Sequence, residues 1–442
     1  MNTPIADYVR KYAESNFSRF HMPGHKGENF LGIEKYDITE ISGADVLSQA
    51  EGIIAESENN ASKMFNTAKT FFSTGGSTLT IYAMLALVRK EDTLILAARN
   101  VHKAFVNACA LLDYDVEWIK NRNISSYVEC NITQEDVERA ILKAPIKPAA
   151  VYLTTPDYLG NIQDIPRISG VCRKYDIPLI VDNAHGAYLA FLEKTMHPIH
   201  LGATMCCDSA HKTLPVLTGG AYLHIARGAS ERFSQNARKA LSLFSSTSPS
   251  YLILQSLDLC NKYLDEKATS EMSVCSMKIK QLKIFIREKG FSVIDGEPFK
   301  IVVDATASGY TGCELAEILR KRGGEAEFYD EDYLVLMLSP QNKERDFELL
   351  YSLFSQVVPK TGKTRQLLPA VIPKKQLSLR NAVFAESETV DVENSIGRVC
   401  ASVTVSCPPA VPVVVSGEEI TVEVAELLKC YGISKVDVVV NG

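Results

Sequence analysis

A chain of 442 residues, 46% of them hydrophobic and with a formal charge of -6 at pH 7, is long enough for a large core and one or two smaller domains. That balance leaves no basic face for nucleic acid, and the longest apolar run, residues 79–88, is too short to cross a bilayer. The 11 cysteines sit singly or as the pair Cys206-Cys207, without metal-ligand spacing, so buried thiols in a reduced cytoplasmic protein are expected rather than a disulfide frame or a metal centre.

In chain order, residues 1–7 lack a basic region followed by an apolar core, and no secretory signal is expected. A short amphipathic stretch, residues 5–12, precedes Arg19-Phe20-His21-Met22-Pro23-Gly24-His25-Lys26-Gly27. Pro-Gly forces a turn there, flanked by His21, His25 and Lys26. It reads as a basic surface turn, or as an arm bringing imidazole and ammonium groups to an anionic ligand. Without cysteine or acid partners at ligand spacing, no metal is assigned. The acidic run 37–47 is a solvated loop or, through Glu40 and Asp45, a holder for the cationic end of a basic substrate.

From Thr70 the pattern alternates. A strand at 70–73, the turn Thr74-Gly75-Gly76-Ser77-Thr78 and an apolar helix at 79–89 make an anion site, where N–H groups, the positive helix end and hydroxyls converge on a phosphate. The turn is neither GxGxxG nor a Walker loop, which argues against dinucleotides and nucleoside triphosphates. A strand at 93–97 leads through Arg99-Asn100-Val101-His102-Lys103 into a helix at 104–112. His102 is either a helix-terminal residue or a group placed to stack on an aromatic cofactor. Strands at 116–119, 149–153 and 179–181 alternate with helices at 134–142 and 165–175, which predicts a doubly wound, mainly parallel α/β sheet.

The run Pro178-Leu179-Ile180-Val181 ends in Asp182, so a buried strand delivers a carboxylate at its C-terminal tip. After the apolar segment 203–207, Lys212 stands between His211 and Thr213. Singly, Asp182 is equally a cap or turn acid, and Lys212 a surface lysine. Together, an acid on one strand end and a lysine on the next are what pyridoxal phosphate needs. The lysine forms a Schiff base with the cofactor aldehyde, and the carboxylate keeps the pyridine nitrogen protonated.

Beyond Lys212 the pattern predicts a strand at 219–225, a hydroxyl-rich turn at 245–249 and helices at 251–263 and 269–289. Five segments are expected: an N-terminal arm (1–45), a large domain (46–268), a smaller α/β domain (269–358), a linker (359–375) and a small C-terminal α+β domain (376–442).

Taken together, the stretch 20–27, the Gly-Gly-Ser-Thr turn, residues 99–103, Asp182-Asn183-Ala184-His185-Gly186 and Ser209-Ala210-His211-Lys212-Thr213-Leu214-Pro215 resemble the ornithine/lysine/arginine decarboxylase family. The resemblance extends to Ile396-Gly397-Arg398-Val399 and to the stretch 408–418. It implies fold type I of the pyridoxal phosphate enzymes, with active sites shared across a homodimer or a higher homo-oligomer. By motif match, Lys212 forms the Schiff base, Asp182 binds the pyridinium nitrogen and His102 stacks on the ring. Gly76, Ser77, Thr78, His185 and Ser209 join the cofactor set, with Ser246 or Thr247 of the partner subunit completing the phosphate site. His211 orients or protonates. His21, His25, Lys26, Glu40 and Asp45 fall on the substrate side.

Asn183, Tyr188, Gly219 and Asp157 depart from the family's usual residues and are expected to bear on substrate choice. The leading reading is decarboxylation of arginine, lysine or ornithine to an amine for polyamine biosynthesis. An aminotransferase or lyase on the same fold is the runner-up. A silent binder of the cofactor is a third reading, opposed by the intact Lys212, Asp182 and His102.

Overall fold

The computed structural model describes residues 1–90, 94–120, 129, 131–363, 372–405 and 411–440. The chain forms two compact units, both discontinuous in sequence: 1–90, 149–153 and 165–271 make the first, and 91–148, 154–164 and 272–442 make the second. The first opens with α1 (Pro4–Ala13), α2 (Ile53–Met64), β1 (Lys69–Ser73) and α3 (Gly76–Val88). The second takes up β2 (Leu94–Ala97), α4 (Lys103–Leu112), β3 (Asp115–Trp118) and α5 (Gln134–Lys143). With β4 (Ala150–Thr154) the chain returns to the first unit, continuing through α6 (Ile165–Lys174), β5 (Leu179–Asp182), α7 (Pro198–Leu201), β6 (Met205–Asp208), α8 (Ala210–Thr213), β7 (Ala221–Ile225), α9 (Glu231–Ser242) and α10 (Tyr251–Tyr263).

In the first unit the strands stand in the order β1, β7, β6, β5, β4. β5 and β6 run parallel, and β7 opposes both of its neighbours. Every residue of β5 and β6 is buried, as continuous apolar runs require of strands covered on both faces. α3 is buried on nearly every side, which its uniformly apolar sequence dictates. Two of the longer helices here lie outside the expected set. α2 buries Ser57, Glu58, Asn60 and Ser62 beside Ile54 and Ala61, so its inner face is not apolar. α9 is a short amphipathic helix whose buried stripe is Phe233, Ala237, Ala240 and Leu241.

α11 (Thr269–Glu288) leads into the rest of the second unit: β8 (Ser292–Ile294), β9 (Lys300–Asp304), α12 (Gly312–Arg320), β10 (Phe328–Tyr329), β11 (Tyr333–Met337) and α13 (Glu344–Gln356). The four strands stand in the order β10, β11, β9, β8, every pairing antiparallel. The C-terminal stretch adds α14 (Leu379–Val383), β12 (Ser387–Asp391), β13 (Thr404–Val405), β14 (Pro412–Val414), α15 (Val422–Cys430) and β15 (Lys435–Val439), with a core that includes Val392, Cys400, Val413, Ile420 and Leu428. Gly417, at φ +87° with Leu377 O 2.4 Å from where a Cβ would stand, leads into Glu418. The Glu418 carboxylate is buried against Arg99 at 2.8 Å, Trp118 Nε1 at 3.2 Å and the Val415 N–H at 2.9 Å. Residues 364–371 of the expected linker and 408–410 of the stretch 408–418 fall outside the described residues.

Candidate active site

Two adjacent strand ends build the site. β5 ends at Asp182, 2% exposed, whose carboxylate is fixed by three donors. The Tyr152 hydroxyl donates to Oδ2 at 3.2 Å, the Ala184 N–H to Oδ1 at 3.1 Å, and the Cys207 thiol stands 3.7 Å from Oδ1. The parallel register sets Asp182 beside Cys207, and β6 passes through Asp208 and Ser209 into α8, the single turn carrying His211 and Lys212. Acid and lysine therefore meet at the same end of the sheet, where ligands of such sheets bind. Lys212 Nζ is 3.0 Å from His185 Nε2. His211 donates Nδ1–H to the Gly220 carbonyl at 3.1 Å, and burial pushes its pKa down.

The glycine turn comes to the same place. Gly76 sits at φ +68°, and a Cβ there would meet nothing within 4 Å, so the backbone leaves an open cradle. α3 begins at Gly76, which puts the N–H groups of Ser77 and Thr78 in the first turn, where helices leave donors unsatisfied. Ser209 donates its hydroxyl to Ser77 Oγ at 2.7 Å. These donors suit pyridoxal phosphate: hydroxyls and first-turn N–H groups for the phosphate, a buried carboxylate for the ring nitrogen and a lysine for the aldehyde.

The remaining expected residues divide. Ser246 and Thr247 are exposed on the turn before α10 and line a small cavity with Glu40 and Arg238. Asp45 is already engaged: its carboxylate accepts the N–H groups of Val46, Glu51, Gly52, Ile54 and Ala55, closing the N-terminus of α2. In the arm, Tyr12 OH is 2.6 Å from His21 Nε2, His25 Nε2 is 3.3 Å from Asp37 Oδ2, and Lys26 Nζ donates to the His21 carbonyl at 2.5 Å. His102 belongs to the second unit, where it caps α4 by accepting the Ala104 N–H at 3.1 Å.

The positions that depart from the family's usual residues are buried or closely packed. Asn183, Tyr188 and Asp157 are all 1% exposed or less. Asp157 holds its own turn, accepting the Asn161 backbone and side-chain N–H groups, both at 2.9 Å. Gly219, at φ +98°, accepts the Gly76 N–H at 2.8 Å, and a Cβ would press on the Thr74 carbonyl at 3.1 Å.

One buried cluster has no counterpart in the sequence reading. Asp208, fully buried, accepts the Asn183 amide on Oδ1 at 2.7 Å and the Nε2–H groups of His197 and His224 on Oδ2 at 2.9 and 3.0 Å. Burial alone would raise the Asp208 pKa, but the two imidazoles outweigh it and hold the carboxyl well below the usual range. His197 Nδ1 accepts the Ile199 N–H at 3.3 Å, so its proton is on Nε2 and it offers a metal no lone pair there. A histidine inside the apolar strand 221–225 was the available signal.

A family model described as Orn/Lys/Arg decarboxylase, major domain, matches residues 3–306, and its C-terminal domain matches 361–432. The chain is 29% identical to an arginine decarboxylase of Halalkalibacterium halodurans over 95% of its own length and 91% of that protein's. It is 26% identical to an arginine decarboxylase of Bacillus subtilis, over 95% and 92% respectively. Among solved structures, the lysine decarboxylase LdcF of Francisella novicida superposes with a TM-score of 0.82 at 18% identity, covering 99% of this chain and 81% of that one. The constitutive lysine decarboxylase of E. coli gives 0.80 at 16%, covering 99% and 82%. With the acid, the lysine and the phosphate cradle at one sheet end, the chain belongs to the Orn/Lys/Arg decarboxylase family, pyridoxal phosphate-dependent enzymes of fold type I.

Proposed function

We propose that this decarboxylase acts on a basic amino acid, with arginine ahead of lysine and ornithine, and supplies the amine to polyamine synthesis in the cytoplasm. The reading rests on the convergence of Asp182, Lys212, His185, Ser77 and Ser209 at one strand end. Arginine comes first because relatives matched over nearly the whole chain bear that name.

Bound pyridoxal phosphate supplies an electron sink for the charge left when the α-carboxylate departs as carbon dioxide. The chain's residues do the rest. Asp182, fixed by Tyr152 and Ala184, holds the proton on the ring nitrogen. Ser77, Thr78 and Ser209 hold the phosphate through hydroxyls and helix N–H groups. Lys212 would carry the cofactor beside His185, and His211 would orient the substrate or return the proton to its carbon. Glu40 lines the cavity of Ser246 and Thr247 and suits a guanidinium or ammonium end, whereas Asp45 is committed to α2. The exposed turn of Ser246 and Thr247 suits a homodimer in which each subunit lends a hydroxyl to the other's phosphate site. The described cysteines form no disulfide and most are buried, which suits a reducing compartment.

The test is release of amine and carbon dioxide from purified protein loaded with pyridoxal phosphate. Arginine, lysine, ornithine and a set of neutral amino acids are compared. Turnover of one basic substrate supports the reading; turnover of neutral substrates alone, or none at all, overturns it.

A further inference from the structure

We infer that Asp208 is a positioning residue for the cofactor site: its buried negative charge, held by Asn183, His197 and His224, raises the proton affinity of the linkage between Lys212 and the cofactor. The inference rests on the assignment of Lys212 as the cofactor lysine.

Three observations carry it. Asp208 is the last residue of β6, directly before Ser209, and Asn183 directly follows Asp182 at the end of β5. Their 2.7 Å hydrogen bond therefore ties the strand end bearing the ring-nitrogen acid to the strand end bearing the lysine turn. The carboxylate is fully buried, and each of its oxygens is met by N–H donors, so it is an anion that water does not screen. The neighbouring groups do not cancel it. Cys206, Cys207 and Tyr222 are pushed up by burial and stay neutral, and His200 and His224 are pushed down by burial. Asp182 lies across the strand pair, His197 contributes the third N–H, and His185 and His211 stand near Lys212.

Asp208 stands four residues before Lys212 in the chain, and a unit charge acting over about 10 Å in a medium of effective dielectric about 20 moves a pKa by about one unit. Negative charge favours the protonated linkage, so removing it lowers the midpoint.

The experiment is a pH titration of the visible absorbance band of the lysine-bound cofactor. Four loaded proteins are compared: wild type, Asp208→Asn, Asn183→Asp and the double swap Asn183→Asp/Asp208→Asn, with melting curves for each. Asp208→Asn should lower the midpoint by about one pH unit. Asn183→Asp sets a second carboxyl beside the first, where the buried pair shares one proton, so the net charge and the midpoint should stay near those of wild type. The double swap keeps both the charge and an amide–carboxylate pair, and should return the midpoint to within a few tenths of a unit of wild type. Earlier melting with unmoved midpoints would leave the cluster a purely structural tie and overturn the inference. If Asp208→Asn does not fold, Asp208→Ser, smaller and also uncharged, takes its place with the same expected fall, and an unmoved midpoint there overturns the inference. A wild type without the band overturns the assignment of Lys212 and the inference with it, whereas a band on Lys212 whose midpoint does not respond overturns the inference alone.

Discussion

The Ser209 hydroxyl donates to Ser77 Oγ at 2.7 Å, joining the residue before the lysine turn to the first turn of α3. Two hydroxyls that far apart in sequence meet only because β6 ends beside the helix that Gly76 starts. Each should contribute one charge-assisted hydrogen bond to a bound phosphate. Ser77→Ala and Ser209→Ala are each expected to weaken pyridoxal phosphate binding about tenfold, measured by equilibrium dialysis of the apoenzyme. The double variant should fall short of the product of the two, since the hydroxyls touch.

Asp258 anchors the N-terminal helix. Its fully buried carboxylate accepts the N–H groups of Ile5 and Ala6, both at 2.9 Å, and the Ser57 hydroxyl at 2.5 Å. Asp258→Ala removes the acceptor of two helix N–H groups and of the Ser57 hydroxyl proton, all of them buried. A loss of about 2–4 kcal/mol in urea unfolding is expected.

Stability should fall as pH drops from neutrality. Burial pushes the pKa values of His200, His211 and His224 down. The unfolded chain then binds protons near pH 6.5 that the folded protein refuses, so the stability these residues hold above that value is lost below it. Asp208, whose pKa is lowered, adds a further loss as pH falls below the ordinary carboxylate range. Asp258 has the opposite sign: burial pushes it up to about 6, so its protonated form favours the fold as pH falls through that value. Urea unfolding from pH 7.5 to 5 should show decreasing stability, and a steeper decrease in Asp258→Asn.

In the second unit, Glu418 neutralises Arg99, the two side chains being 3% and 7% exposed. Glu418→Gln keeps the shape and removes the charge, stranding the guanidinium that packs over Trp118. A loss of about 3 kcal/mol is expected by urea unfolding. Arg99→Met combined with Glu418→Leu should recover part of it, because an apolar pair leaves no buried charge.

The strand ends were legible where they carry strong periodic signals. Asp182 ends an unbroken apolar run, and Lys212 follows another, so the strand ends and their meeting could be read from residue type alone. α2 could not, because the positions it buries include Ser57, Glu58 and Asn60, whose partners lie elsewhere in the first unit, such as Arg238 for Glu58 and Asp258 for Ser57. That omission explains the reading of Asp45 as a substrate acid: an acid ahead of an unrecognised helix has no visible cap to make. That Asn183, Tyr188 and Asp157 are buried was not legible either, because a motif displays residue types and not burial. Alternating strands and helices beyond residue 290 likewise did not reveal that the four-stranded sheet pairs antiparallel throughout, since strand direction depends on connections that periodicity does not encode.

The most direct measurement is borohydride reduction of the loaded enzyme, followed by digestion and mass spectrometry. Reduction fixes the cofactor to whichever lysine holds it. One modified peptide is expected, containing Ser209-Ala210-His211-Lys212-Thr213 with the added mass on Lys212, and absent in Lys212→Ala. The added mass on another lysine, or no modified peptide from an enzyme that releases carbon dioxide, would contradict the site described here.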